Sequence, residues 1–82
     1  MVASRVMKSQ ILSSIPIGHK VRLNAIHGGK VLTRRLLSLG ICLGSEFEVI
    51  NHRSNGVVLA REGNRVALGA GISDKLFVEP LD

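Results

Sequence analysis

Aromatic residues are almost missing from this 82-residue chain: Phe47 and Phe77 are present, Trp and Tyr are not. A core must therefore be assembled from Val, Leu and Ile. Stacking of bases on exposed rings, the usual way a small barrel holds single-stranded nucleic acid, has at most Phe77 to draw on, because Phe47 falls on the inward side of its strand pattern. Cysteine is also scarce. One residue, Cys42, excludes an internal disulfide and a Cys-rich zinc site, and it agrees with a reducing compartment. Long apolar runs are absent: none approaches the roughly 18 residues of a membrane span. The start, MVASRVMKSQILSSIPIG, is basic but lacks the apolar stretch of a signal peptide. These absences give the expectation of a soluble, cytoplasmic protein that is not itself embedded in a membrane. Acidic residues are few, six against eleven Lys and Arg, for a formal charge of +5. Such a balance suits anionic partners. The basic residues are scattered, however, with only Arg34 and Arg35 adjacent, so ordinary solubility accounts for much of it.

Catalytic chemistry finds little to work with. Nucleophilic hydrolysis needs a base beside a nucleophile and a third group to orient it. The available groups are Cys42, His19, His27 and His52, with Asp74 or Asp82 as orienters, and none stands in a recognisable signature. Cys42, between Ile41 and Leu43 in a tight turn, reads as a small buried thiol. Glu48 and His52 share a strand face but are separated by Ile50, beyond the reach of a shared metal ion unless the strand bends, and His19 and His27 stand at opposite ends of one strand, too far apart to share one. Gly28-Gly29-Lys30 leads into a helix but lacks the remaining positions of a phosphate-binding loop. The expectation is a chain without catalytic or assigned metal-ligating residues, with weak binding of a transition metal such as iron or zinc left open.

What the sequence does have is one strong helical segment, GGKVLTRRLLSLGICLG, from Gly28 to Gly44. Leu32, Leu36 and Leu39 recur at i, i+4 and i+7, one apolar stripe at helical period. Val31 and Ile41 widen or extend it. Gly40 suits the left-handed residue that closes a helix, and Ile41 would then fold back onto the last turn. The rest reads as β. His19–His27 alternates Val21, Leu23 and Ala25 against Lys20, Arg22 and Asn24, with Ile26 out of phase as at a bend. Ser45–Arg53 alternates Phe47 and Val49 inward. Asn55-Gly56 is a strong hairpin turn into 56–61. A tight turn at 62–64 leads to Arg65–Leu68, a Gly-rich bend at 69–74 contains about one helical turn, and Lys75–Glu79 closes the sheet with Leu76 and Val78 inward. Pro16 blocks a helix in 11–18, and residues 1–10 are a weakly ordered extension, at most a helical turn or an added edge strand. Short strands with Gly-rich corners bury a core best by curling on themselves. The predicted fold is mostly β: a small SH3-like barrel of about five strands over residues 11–82, with one α-helix inserted after the first main strand.

The helix carries more apolar surface than one stripe can hide. Leu37 lies beside the stripe among Arg34 and Ser38, and an apolar residue exposed among basic ones suits a docking face. Arg34, Leu37, Ser38 and Ile41 are the expected partner-binding residues. Covering a neighbouring strand is the alternative use of Leu37.

One set of positions is familiar. Pro16-x-Gly18, Gly28-Gly29, the block Arg35-Leu36-x-x-Leu39-Gly40-Ile41-x-x-Gly44, then Asn64-x-Val66-Ala67-Leu68-Gly69 and Leu76-Phe77-Val78 resemble the FeoA family, the small proteins of bacterial ferrous iron uptake. Arg35, Leu36, Leu39, Gly40 and Gly44 match its motif, as mostly structural residues, with Arg35 expected to span the helix–barrel junction. The resemblance implies an SH3-like barrel, a cytoplasmic accessory role without catalysis, and association with FeoB, the membrane transporter that carries a GTPase domain. Weak self-association stays open. A nucleic-acid-binding barrel and a transition-metal sensor are the alternative functions.

Overall fold

The computed structural model describes residues 9–81. Its elements in chain order are β1 (Gln10–Ile11), a 3-10 turn (Leu12–Ser14), β2 (Lys20–Ile26), α1 (Gly29–Ser38), β3 (Glu46–Arg53), β4 (Gly56–Arg61), β5 (Asn64–Gly69), α2 (Ala70–Ser73) and β6 (Leu76–Pro80). The strands form one antiparallel sheet in the order β1-β6-β2-β3-β4-β5. This is the mostly β, SH3-like architecture expected, with its helix between the first two long strands. Most of the weakly patterned extension expected for 1–10 lies outside the described residues, as does Asp82; Gln10 of that extension already belongs to β1.

Two additions came from the start of the chain. β1 pairs with β6 through Gln10 opposite Val78 and Ile11 opposite Phe77, giving a sixth strand. The 3-10 turn fits ahead of Pro16 because it ends at Ser14. Ile15, the residue before proline, is then extended (φ −82°, ψ 130°), as the proline ring requires. Leu12 and Ile15 thereby enter the core.

The sheet curls, but strand pairing alone does not close it. β5 and β1 are its edges. The gap is bridged by the two single helical turns: the Ser13 hydroxyl donates to Asp74 Oδ1 at 2.9 Å. The Gly18 N–H also donates to the Val49 carbonyl at 2.7 Å, pinning the lead-in of β2 to β3. Two register shifts sharpen the curl. One falls between Leu23 and Ala25 opposite β6, leaving Asn24 as the extra residue, and one between Val49 and Asn51 opposite β4. The first explains the broken alternation in β2. After the bulge the phase inverts, so Ile26 turns toward the core and packs against it.

The core is aliphatic with one ring, Phe47. Val21, Leu23, Val49, Val57, Leu59, Leu68, Leu76 and Val78 supply its strand side, and Leu12, Ile15, Leu36 and Ile41 its other side. Gly56 is required where β4 leaves its turn. It has φ +153°, and a Cβ there would lie 2.0 Å from the Leu68 carbonyl oxygen.

Candidate docking face on the inserted helix

α1 leaves the end of β2 through Gly28. No side chain caps its first turn, and no acidic residue stands there. Its C-terminus is closed by backbone geometry. Gly40 has φ +83°, its N–H donates to the Leu37 carbonyl, and the Ile41 N–H donates to the Leu36 carbonyl, each at 2.9 Å. This is the paired-bond Schellman closure, and it returns the chain beneath the last turn. Ile41 is therefore 1% exposed, beside fully buried Leu36 in the core cluster.

That closure corrects the expected docking face. Ile41 cannot belong to it, because the reversal at Gly40 carries its side chain inward. Leu39 is corrected in the opposite direction: the helix ends at Ser38, so Leu39 leaves the helical phase and is 43% exposed instead of extending the stripe. Val31 also faces out. The buried side of α1 reduces to Leu36, with Leu32 half-buried against the core. Arg34, Leu37 and Ser38 are exposed, and Leu37 keeps 57% of its surface. Arg35 is exposed too, and among the described residues its guanidinium makes no ion pair or hydrogen bond; the structure does not place it across the helix–barrel junction. Its carbonyl accepts the Ser38 hydroxyl at 2.7 Å, which ties down the last turn. Gly44, with φ +88°, turns the chain into β3, and its N–H donates to the Leu23 carbonyl at 2.9 Å.

The expected burial of Cys42 is also corrected. The thiol is exposed, because residues 42–45 form a turn on the surface: the Ser45 N–H donates to the Cys42 carbonyl, and the Cys42 N–H to Ser45 Oγ, both at 3.0 Å. Ile41 and Ser45 are the buried ends of this stretch, and Cys42, Leu43 and Gly44 between them are exposed.

Elsewhere the titratable groups are dispersed or occupied. The His52 ring bonds the Ile15 carbonyl, and His27 stacks against Phe77 with ring centroids 4.4 Å apart, while His19 is exposed at the start of β2. No three His, Cys, Asp or Glu side chains come together to hold a metal among the described residues. Arg22, in the middle of the sheet, is held by Glu46 on β3 at 2.9 Å and Glu79 on β6 at 3.1 Å. The hydrogen bond and charge of Glu46, helped by Glu79, raise its pKa above the ordinary guanidinium value. A shallow groove beside the start of β3 and the end of β4 is lined by Lys20, Glu46, Glu48, Arg61 and Glu62, charges of both signs without a nucleophile. With Phe47 buried and Phe77 covered on one side by His27, no aromatic platform for bases is formed.

The fold and the helical block have counterparts among known proteins. The FeoA domain model matches residues 11–80. The chain belongs to the FeoA family. A protein of Methanocaldococcus jannaschii provisionally named Fe(2+) transport protein A is 34% identical over 62 residues, covering 76% of each chain. The crystal structure of an iron uptake regulatory protein, FeoA, superimposes with a TM-score of 0.82 at 27% identity, over 90% of this chain and all of that one. A manganese-dependent transcriptional repressor superimposes with a TM-score of 0.83 at 22% identity, over 93% of this chain and 44% of the repressor, which is a likeness of fold. Membership in the FeoA family implies a role in ferrous iron transport. No helix among the described residues is long and apolar enough to cross a membrane.

Proposed function

We propose that this FeoA-family chain is a non-enzymatic, cytoplasmic accessory protein of ferrous iron uptake that binds the cytoplasmic part of a FeoB-type membrane transporter. The iron is the transporter's cargo; this chain contributes a contact. The observation that carries the reading is the outer side of α1, where Leu37 stands 57% exposed on a helix seated on the sheet by its opposite side. A gathered exposed apolar surface is a mark of an interaction site, and Leu37 is joined by Val31, Leu39 and Leu43, exposed in the same stretch of chain. Arg34 and Ser38 flank Leu37 and complete the proposed contact.

The test is binding of the purified chain to the isolated cytoplasmic domain of the transporter. Leu37→Asp is expected to weaken binding by at least about tenfold, the loss typical of a central interface residue, while the circular dichroism spectrum stays unchanged. Equal binding by Leu37→Asp removes α1 as the contact, and no binding by the unaltered chain removes the accessory reading.

A further inference from the structure

The distribution of charge along the chain is uneven in a way that the fold converts into a surface. All six acidic residues lie beyond Ser45, at Glu46, Glu48, Glu62, Asp74, Glu79 and Asp82, which leaves residues 1–45 without an acid. Within that acid-free span Lys30, Arg34 and Arg35 are exposed on α1, and among the described residues none has an ion-pair partner. Arg22, in the same acid-free part of the chain but on β2, takes up Glu46 and Glu79. Lys30 sits in the first turn of α1, where a cation opposes the helix dipole. Its charge does not serve helix stability at that position.

α1 and the loop to Gly44 hold four of the six large apolar residues exposed on the described surface. They are Val31 (81%), Leu37 (57%), Leu39 (43%) and Leu43 (60%); Ile11 and Ile17 are the others. On a helical projection Val31 and Leu37 stand roughly 120° apart with Arg34 between them. Leu39 and Leu43 project from the cap and the loop beyond. A helix lying on a bilayer gathers its apolar residues into one stripe. Here Val31 and Leu37 are separated by Arg34 and form no such stripe, and apolar residues set beside cations fit a protein surface with an apolar centre and a charged rim.

We propose that α1 and the loop to Gly44 form an acid-selecting clasp, and that the surface it grips is a protein groove with an apolar floor and an acidic rim. Lys30, Arg34 and Arg35 steer the approach; Leu37, Leu39 and Leu43 hold the complex. This rests on the accessory reading above and adds the chemistry of the partner's surface to it. Steering charges act mainly on the association rate, and buried apolar contacts on dissociation.

The experiment is a kinetic titration of the full chain against the transporter's cytoplasmic domain at about 50 mM and about 500 mM salt, spanning Debye lengths from longer to shorter than the spacing of exposed charges. The unaltered chain is expected to lose about tenfold in association rate between the two. Arg34→Glu/Arg35→Glu is expected to lose about tenfold at low salt and to flatten the salt dependence. Arg34→Gln/Arg35→Gln should show a smaller loss of the same kind, and Leu43→Ser mainly a faster dissociation. Arg65→Glu, an exposed charge on β5, serves as the control and should leave the rates near those of the unaltered chain. Binding that is insensitive to salt and to the Arg34/Arg35 changes overturns the clasp while leaving the accessory reading standing, and so does an equal loss in Arg65→Glu. Failure of the unaltered chain to bind at either salt overturns the accessory reading. Sedimentation with phosphatidylglycerol vesicles in place of domain binding, abolished by Arg34→Glu/Arg35→Glu, overturns both in favour of a lipid surface.

Discussion

In the sheet, almost every residue that the alternation points inward is buried, from Val21 and Leu23 on β2 to Leu76 and Val78 on β6. In α1, ten residues long, one residue is buried, Leu36, and its sequence neighbour Leu37 stands largely in solvent. The two regions share one core but use it differently. The strands are interlocked by ladders on both sides except at β1 and β5, so each inward side chain is fixed by neighbours on two strands. α1 rests on the sheet along a single line. A helix so lightly seated keeps most of its circumference free, and three cations (Lys30, Arg34 and Arg35) and two apolar residues (Val31 and Leu37) stand there beside Thr33 and Ser38. The sheet is therefore the scaffold, and α1 the element whose outer side is open to selection for binding.

Substitutions can break or sharpen this contrast. The largest stability loss is expected from Leu23→Ala or Leu59→Ala, each inside the sheet's core. Truncating a fully enclosed leucine should cost about 3 kcal/mol, a large share of the roughly 5–15 kcal/mol that holds a small domain, read from urea denaturation midpoints. Leu36→Ala should come next at about 2 kcal/mol, because the helix can settle partly into the vacated space. A loss as large as that of Leu23→Ala would mean that α1 is as integral as any strand. Gly40→Ala forces a Cβ into a left-handed residue and should cost about 1 kcal/mol, detected by denaturation and by loss of helical ellipticity. Leu37→Ala should stay within about 0.5 kcal/mol of the unaltered chain, the range of an ordinary surface change. A loss approaching that of Leu36→Ala would erase the distinction between the two sides of the helix. Arg22→Gln should have the smallest effect, since its ion pairs lie at the surface in partial contact with solvent, and that effect should shrink further as salt is added.

The strands were legible because period-2 alternation records burial directly. Val21 and Leu23, Phe47 and Val49, Leu76 and Val78 could be oriented residue by residue, and Ile26 signalled the bulge that the register shift at Asn24 explains. The helix was legible as a helix but not in its orientation. The leucine recurrence at 32, 36 and 39 looked like one stripe, yet the helix stops at Ser38 and Gly40 reverses the chain, so Leu39 and Ile41 exchanged the places that a continuous helix would have given them. Periodicity counts residues and is blind to a chain reversal beyond the glycine that marks it. Cys42 was legible as a turn residue but not as an exposed one, since the turn anchors Ile41 and Ser45 in the interior and lifts the residues between them to the surface. Leu43 and Val31 carried no periodic signal for exposure. Lys30, Arg34 and Arg35, in a helical segment with no acid before Glu46, were the available sign that this surface differs from the rest.

By itself the sequence determined the strands, the position of the helix and the aliphatic character of the core, because alternation, glycine turns and the shortage of aromatics act locally along the chain. Only the tertiary structure decided which leucines face the solvent and which cations stay unpaired. Those outcomes depend on where the Gly40 reversal lays Ile41 beneath Leu36, and on the cross-strand register that delivers Glu46 and Glu79 to Arg22 and leaves α1 without an acid of its own.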